Sequence, residues 1–272
     1  MPPTPASTSE SALLAAMEEN LHAHIAFVPR STSGMLVRDD SDLLLVDSGL
    51  PSDTFNKIAR ARLTDSAADA RIAEAINHFR GAARPFAWWV GPLSRPVDLE
   101  ARLRRHGLAP AESELGMSME LRGLPAAVER PPDFEVRRAA SAQEIADFSS
   151  VFASNWQPPD PSAAAFYKAA APLLLAPDPP MILFVGYLAG KPVATSELFL
   201  GGGVAGLYGV ATRREFRGRG IGTALTWAAC EEARRRGVHT AVLQSSDDGK
   251  ALYTRLGFGP CCHFTEFTFG AA

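Results

Sequence analysis

The segment Glu215-Phe-Arg-Gly-Arg-Gly-Ile-Gly-Thr-Ala-Leu225 sets three glycines, Gly218, Gly220 and Gly222, at alternate positions beside Arg217 and Arg219. From Ile221 onward the apolar residues Ala224, Leu225, Ala228, Ala229 and Ala233 keep helical spacing, Arg234, Arg235 and Arg236 suit the negative end of a helix dipole, and Gly237 can stop the run. A helix N-terminus exposes unpaired amide N–H groups at the positive end of its dipole, and that end binds phosphate. Glycines let consecutive amides turn toward one anion with no side chain in the way, and arginines can reach its oxygens. The segment reads as a phosphate cradle, suited to a diphosphate. It lacks G-x-G-x-x-G, since Thr223 stands where the third glycine belongs, and it lacks Gly-Lys-Ser/Thr. Neither a nicotinamide dinucleotide nor ATP is favoured.

Working outward, Phe134-Glu-Val-Arg137 starts a strand, and Ser141-Ala-Gln-Glu144 has the Ser and Glu of a capped helix start, the helix running to about Phe152. A second helix is expected around Ala163 to Leu175. Met181 to Leu188, Pro192 to Leu200 and Val204 to Thr212 read as strands joined by turns at Ala189-Gly-Lys191 and Gly201-Gly-Gly203. After the cradle helix come a strand at Thr240 to Gln244, a short helix at Asp248 to Leu256 and a final strand at His263 to Phe269. A mixed sheet with helices on both faces follows.

The run Leu207-Tyr-Gly-Val-Ala-Thr-Arg-Arg-Glu-Phe-Arg-Gly-Arg-Gly-Ile-Gly-Thr-Ala-Leu225 resembles the acetyl-coenzyme A motif of the GNAT superfamily of N-acetyltransferases, with Arg217, Gly220 and Gly222 in its defined positions. Leu252-Tyr-Thr-Arg-Leu-Gly-Phe258 is similar to the second signature of that superfamily, in the right order and at the right distance. The resemblance spans roughly Phe134 to Phe269. It implies that the amides of Gly218, Arg219, Gly220, Ile221, Gly222 and Thr223, with Arg217, hold the diphosphate of acetyl-CoA. It also implies that Val210, Ala211 and Thr212 pair their backbone with the pantetheine arm. Ser246 falls where many relatives carry an Asn that touches the cofactor.

Acyl transfer to an amine needs a neutral amine, a polarised thioester carbonyl and a proton for the departing thiolate. By resemblance, Tyr253 is the general acid and the Val210 N–H polarises the carbonyl. Many relatives carry a carboxylate on the strand that here reads Gly206-Leu-Tyr-Gly-Val210, which has none, so Glu197 on Thr195-Ser-Glu-Leu198 is the nearest candidate base. The competing reading makes Glu197 a solvated or capping glutamate, with Tyr208 holding a water. By resemblance the acceptor lies against the loop between the first two helices of this half, where Asn155, Trp156, Phe166 and Tyr167 offer aromatic faces and an amide. No acidic cluster there announces a polycationic acceptor.

The remaining half closes in a parallel way. Phe86-Ala-Trp-Trp-Val90, a helix at Leu99 to Leu108 and a strand at Gly116 to Leu121 repeat the strand, helix and strand order of Thr240 to Phe269, without a second arginine-glycine cradle. At 272 residues the chain suits two domains at roughly 150 residues each. Three prolines in Gly123-Leu-Pro-Ala-Ala-Val-Glu-Arg-Pro-Pro132 mark the seam. The expected organisation is a disordered tail over 1–10, a degenerate GNAT-like domain over 11–124, a linker over 125–132 and an acetyl-CoA-binding catalytic domain over 133–272. The fold class is α/β (α+β), each domain a mixed, mostly antiparallel sheet with helices on both faces.

A net charge of −3 with 46% hydrophobic and 21% charged residues excludes a broad nucleic-acid surface. No apolar run is long enough for a membrane span. Cys230, Cys261 and Cys262 lack the paired spacing of a zinc site, His22-Ala-His24 could share one strand face but has no third ligand, and no metal is called for. The sequence expectation is a cytoplasmic monomer or homodimer moving an acetyl group from acetyl-CoA to the primary amine of a small molecule. The alternatives are a non-catalytic acyl-CoA sensor or scaffold and an acyltransferase using a longer acyl-CoA.

Overall fold

The computed structural model describes residues 9–269. The tail expected over 1–10 lies outside them up to residue 8, while Ser9 caps the first helix, its hydroxyl accepting from the Ala12 N–H at 3.3 Å. In chain order the elements are α1 (Glu10–Arg30), β1 (Leu36–Asp39), β2 (Leu44–Asp47), β3 (Lys57–Ala59), α2 (Ala68–Gly81), β4 (Ala87–Val90), α3 (Leu99–Arg105) and β5 (Leu108–Glu120). Beyond the proline-rich stretch follow β6 (Phe134–Arg138), α4 (Ala142–Ala153), α5 (Pro161–Leu174), β7 (Met181–Leu188), β8 (Lys191–Gly201), β9 (Val204–Thr212), α6 (Ile221–Arg235), β10 (Thr240–Ser245), α7 (Asp247–Leu256) and β11 (Gly259–Phe269). The α4 start carries its capping box: Ser141 Oγ accepts from the Glu144 N–H at 3.2 Å and Glu144 Oε2 from the Ala140 N–H at 2.8 Å.

Among the described residues, eleven strands form one mixed, mostly antiparallel sheet in the order β1-β2-β3-β4-β11-β5-β10-β9-β8-β7-β6. The two halves therefore share a sheet, and they share it by exchange. The repeated units β4-α3-β5 and β10-α7-β11 each surrender their last strand: β5 pairs with β10 and β11 with β4, both antiparallel, while β5 and β11 pair with each other along nearly their whole length. Neither half has a complete sheet of its own.

Helices cover both faces. Trp88 packs in the cluster beneath α2 and α3, and its neighbour Trp89 packs in the α1 cluster. Leu207 and Leu243 pack under α6, whereas Tyr208 and Val242 pack under α1. The two-residue period of strands thus sets α1, α4 and α5 on one face and α2, α3, α6 and α7 on the other. Helix α1 crosses the middle of its face, from β1 and β2 to β8 and β9. Two buried polar side chains fasten it. Asn20 bonds to the β8–β9 hairpin, and Glu18 accepts from Arg62 at 2.7 Å and from the Leu93 N–H at 2.9 Å. The His22-Ala-His24 pair lies in this helix, so the expectation of two rings on one strand face is wrong: at helical pitch, residues two apart point in different directions.

Candidate active site

Strands β9 and β10 are parallel and pair only from Ala205 and Ala241 to Leu207 and Leu243. Beyond that point they fork. On its other edge β9 carries a bulge, because Thr195 pairs with Ala211 and Glu197 with Tyr208, leaving Gly209 and Val210 opposite Ser196 alone. Gly209 takes a positive φ of 54° there, and the Thr195 hydroxyl donates to its carbonyl at 2.8 Å. The fork opens into a cleft of 880 Å³ between the end of β9, the start of α6 and the start of α7.

The cradle residues line that cleft. Gly218 and Gly220 adopt φ of 75° and 77°, a left-handed backbone that side chains resist, and Gly220 is the N-cap of α6. Gly222 serves a different need: a Cβ there would stand 2.8 Å from Leu252 Cδ1, so its absence allows α6 and α7 to approach. Arg217 Nε donates to the Thr212 carbonyl at 3.0 Å, tying the loop to the strand end. Val210, Ala211, Thr212, Arg217, Gly218, Gly220, Ile221, Gly222, Thr223, Ser246, Asn155, Trp156 and Tyr253 all border the same cavity. Arg219 does not; its guanidinium folds back onto the Glu215 carbonyl and over the Phe216 ring.

Tyr253 sits in the cleft wall, only 8% exposed, with its ring edge-on to Phe258 at 5.9 Å. Burial, with the nearby Glu114 carboxylate and Cys230 thiol adding to it, holds its phenol well above the ordinary range. It keeps its proton at neutral pH.

Glu197 is not a solvated glutamate. It is 2% exposed and lines a separate chamber of 90 Å³ with Tyr208, Tyr167, Phe55, Phe152, Phe166, Lys57 and His24. Consecutive residues of the β9 bulge border the two cavities, Gly209 the chamber and Val210 the cleft. Tyr167 donates its hydroxyl to Glu197 Oε2 at 3.2 Å, and His24 Nε2 bonds Glu197 Oε1. The Tyr208 ring stacks on the His24 ring, with centroids 3.8 Å apart and planes 9° apart, and its hydroxyl donates to Asn20 Oδ1 at 2.7 Å. Burial and the charge of Glu197 push both phenols far up, so each remains a donor.

Two groups escaped sequence reasoning. His24 comes from α1, 173 positions before its partner. The second is an acidic set on the exchanged strands, where Glu112 pairs directly with Glu266 and Glu114 lies two residues along β5. Burial first, then Glu266 and Glu112, raise the Glu114 carboxyl to about 7. Lys57 bonds Glu266 at 3.2 Å, and Glu112 reaches the cleft wall. The cysteines stay bland: burial pushes the Cys262 thiol up to about 12, against Met17 Sδ at 3.8 Å. Among the described residues no group of three His, Cys, Asp or Glu side chains is placed to hold a metal, and no helix is long and apolar enough to cross a membrane.

A forked pair of parallel strands, a bare turn at a helix N-terminus and a protonated phenol thus meet around one cleft. Residues 144–258 match the model of the Acetyltransferase (GNAT) family. The matched segment holds the fork, the glycine cradle and Tyr253. Over its whole length the chain is similar in fold to a GCN5-related N-acetyltransferase from Kribbella flavida, at 18% identity and a TM-score of 0.72 with 98% of each chain covered. A second GCN5-related N-acetyltransferase, from Sphaerobacter thermophilus, matches at 20% identity and a TM-score of 0.59, over 98% of this chain and 93% of that one. A tandem GNAT protein from the clavulanic acid biosynthesis pathway matches at 13% identity and a TM-score of 0.59, over 97% and 96%. No curated protein matches the chain in sequence.

Proposed function

We propose that the protein is an N-acetyltransferase that moves an acetyl group from acetyl-CoA to the primary amine of a small molecule. The observation that carries this reading is the convergence, in one 880 Å³ cleft, of the glycine cradle, the free strand edge at Val210 to Thr212 and the Tyr253 phenol. Bound there, acetyl-CoA supplies an activated acyl thioester. The chain's residues do the rest. The amides from Gly218 to Thr223, with Arg217, neutralise the diphosphate. The Val210 N–H, at the bulge, polarises the carbonyl as negative charge develops on it. Tyr253 delivers a proton to the departing thiolate. Glu197, buried beside the β9 bulge, supplies the negative charge that makes removal of a proton from the acceptor ammonium favourable. Asn155 and Trp156 face the incoming acceptor from the α4–α5 loop. The division into a supporting half over 11–124 and a catalytic half over 133–272 belongs to this proposal, as does a cytoplasmic setting.

The test is calorimetric titration with acetyl-CoA followed by thiol release across a panel of primary amines. Wild-type protein should bind acetyl-CoA, and Gly220→Asp, which sets a side chain and a negative charge in the cradle, should abolish binding. Equal binding by both proteins would refute the assignment of the cleft. Binding without thiol release on any amine would instead favour an acyl-CoA sensor.

A further inference from the structure

The proton acceptor for the amine has one unexplained feature. Glu197 has both carboxylate oxygens occupied, Oε1 by His24 Nε2 and Oε2 by the Tyr167 hydroxyl. Tyr208 spends its hydroxyl on Asn20, and the Lys57 ammonium on Glu266. Within this cluster, among the described residues, His24 Nδ1 is the polar atom left without a partner, and it is sealed from bulk water. A buried nitrogen of that kind is rare unless a ligand or a proton completes it.

The ring's setting fixes what that nitrogen is. A carboxylate accepting from Nε2 requires the proton there, so the neutral imidazole presents a lone pair at Nδ1. The stack on Tyr208 and an edge contact to Phe199, with centroids 5.5 Å apart, hold the ring plane. A carboxylate on one ring nitrogen and a free lone pair on the other is the arrangement by which a histidine is oriented to take a proton, with the carboxylate stabilising the imidazolium that forms.

We propose that His24, supplied by α1 from the opposite half of the chain, is the general base, and that Glu197 positions it. This rests on the acyl-transfer reading above. The acceptor ammonium gives one N–H proton to His24 Nδ1, and the neutral nitrogen forms its bond to the thioester carbonyl carbon. The carbon–sulfur bond breaks as Tyr253 protonates the thiolate. The amine nitrogen loses its second proton, which restores the phenol, and His24 returns its own to solvent. The titratable groups that line the chamber with the imidazole are Glu197 from β8, Tyr208 from β9, Tyr167 from α5 and Lys57 from β3; Glu197 and Tyr208 touch the ring itself. At 90 Å³, with the Phe55 and Phe166 rings stacked 4.2 Å apart in its wall, the chamber admits the slender end of an unbranched primary amine and excludes a branched one.

The experiment uses the full chain with acetyl-CoA and a panel running from 1-aminopentane and benzylamine to tert-butylamine. His24→Gln keeps a donor toward Glu197 but cannot titrate. It should lower kcat at least 100-fold with the KM for acetyl-CoA unchanged, and it should erase the acidic limb of the pH profile. Added imidazole should restore part of the activity of His24→Ala. A His24→Gln enzyme that retains the wild-type limb and kcat would overturn the proposal. Independently of turnover, nitrogen NMR of wild-type protein should show the Nε2–H tautomer at His24, and the Nδ1–H tautomer would overturn it. Failure of wild-type protein to bind acetyl-CoA would sink the acyl-transfer reading instead, so the two failures are distinguishable.

Discussion

Replacing Asn20 by leucine should cost the protein about 3–5 kcal/mol, a large share of the roughly 5–15 kcal/mol by which domains are stable. Asn20 is fully buried, and its amide nitrogen lies 3.1, 2.9 and 3.1 Å from the carbonyls of Phe199, Gly201 and Val204. Its oxygen accepts from the Tyr208 hydroxyl at 2.7 Å. Leucine fills a similar volume but offers nothing to three carbonyls and one hydroxyl. Each such bond is worth about 0.5–1.5 kcal/mol net, and a stranded buried hydroxyl adds about 1–3 kcal/mol, reduced where the carbonyls keep ladder partners. Tyr208→Phe removes one bond of the four and should cost about 1 kcal/mol. The double variant should cost less than the sum, because the two share a bond. Urea unfolding followed by tryptophan fluorescence measures all three, with an unchanged slope required for the comparison. A loss below about 1 kcal/mol for Asn20→Leu would refute the claim that this amide locks α1 onto the β8–β9 hairpin. His24 lies one helical turn from Asn20, so the same variant should also weaken the His24–Glu197 bond and reduce turnover.

Tyr253→Phe should lower kcat by about 100-fold while the KM for acetyl-CoA stays level in steady-state kinetics, and equal turnover would reduce Tyr253 to packing. Gly222→Val should weaken acetyl-CoA binding at least tenfold by calorimetry, because the added branch drives Leu252 and α7 away from α6. Glu114→Gln should raise the melting temperature at pH 8 and leave it unchanged at pH 4. The Glu114 carboxyl is raised from 4.5 to about 7 in the fold, so the native state holds a proton that the unfolded chain has released, and stability falls as pH rises through that window by at most about 3 kcal/mol. A fragment of residues 133–272 should fail to give a soluble monomer by gel filtration, since without β5 the facing edges of β10 and β11 are left unpaired. A well-behaved monomeric fragment would show that the exchange is dispensable.

The cleft was legible because it is local. Its glycines, the strand before them and the helix after them lie within about twenty consecutive residues, and backbone requirements of this kind are written directly in residue type. Boundaries of the hairpin strands and the capped start of α4 were legible for the same reason. The chamber was not. His24 and Glu197 meet only because α1 crosses the sheet, and the one signal for it is faint: Asn20 and His24 interrupt the apolar stripe of Met17, Leu21 and Val28 at helical spacing. Reading His22 and His24 as strand neighbours hid that stripe. The acidic set on β5 and β11 was equally hidden, since Glu112 and Glu266 become cross-strand neighbours only through the exchange. Their like charges, beside Trp89 and Lys57, make little sense as a stabilising pair.

The exchange gives a physical reason for keeping a half that has no cradle. A strand surrendered to the other unit cannot be withdrawn without exposing two ladder edges, so the halves are held in one register, and α1 is carried to a fixed place over the fork. Asn20 then sets the helix against the β8–β9 hairpin, whose strands run on to the bulge at Gly209 and Val210. The half without the cradle thereby contributes His24 and Lys57 to the chamber and Glu112 to the cleft wall. On this view the two halves divide the chemistry: one grips the acyl donor, and the other brings the groups that take the acceptor's proton. Under that proposal, the half without the cradle has a function as long as its helix delivers the His24 imidazole.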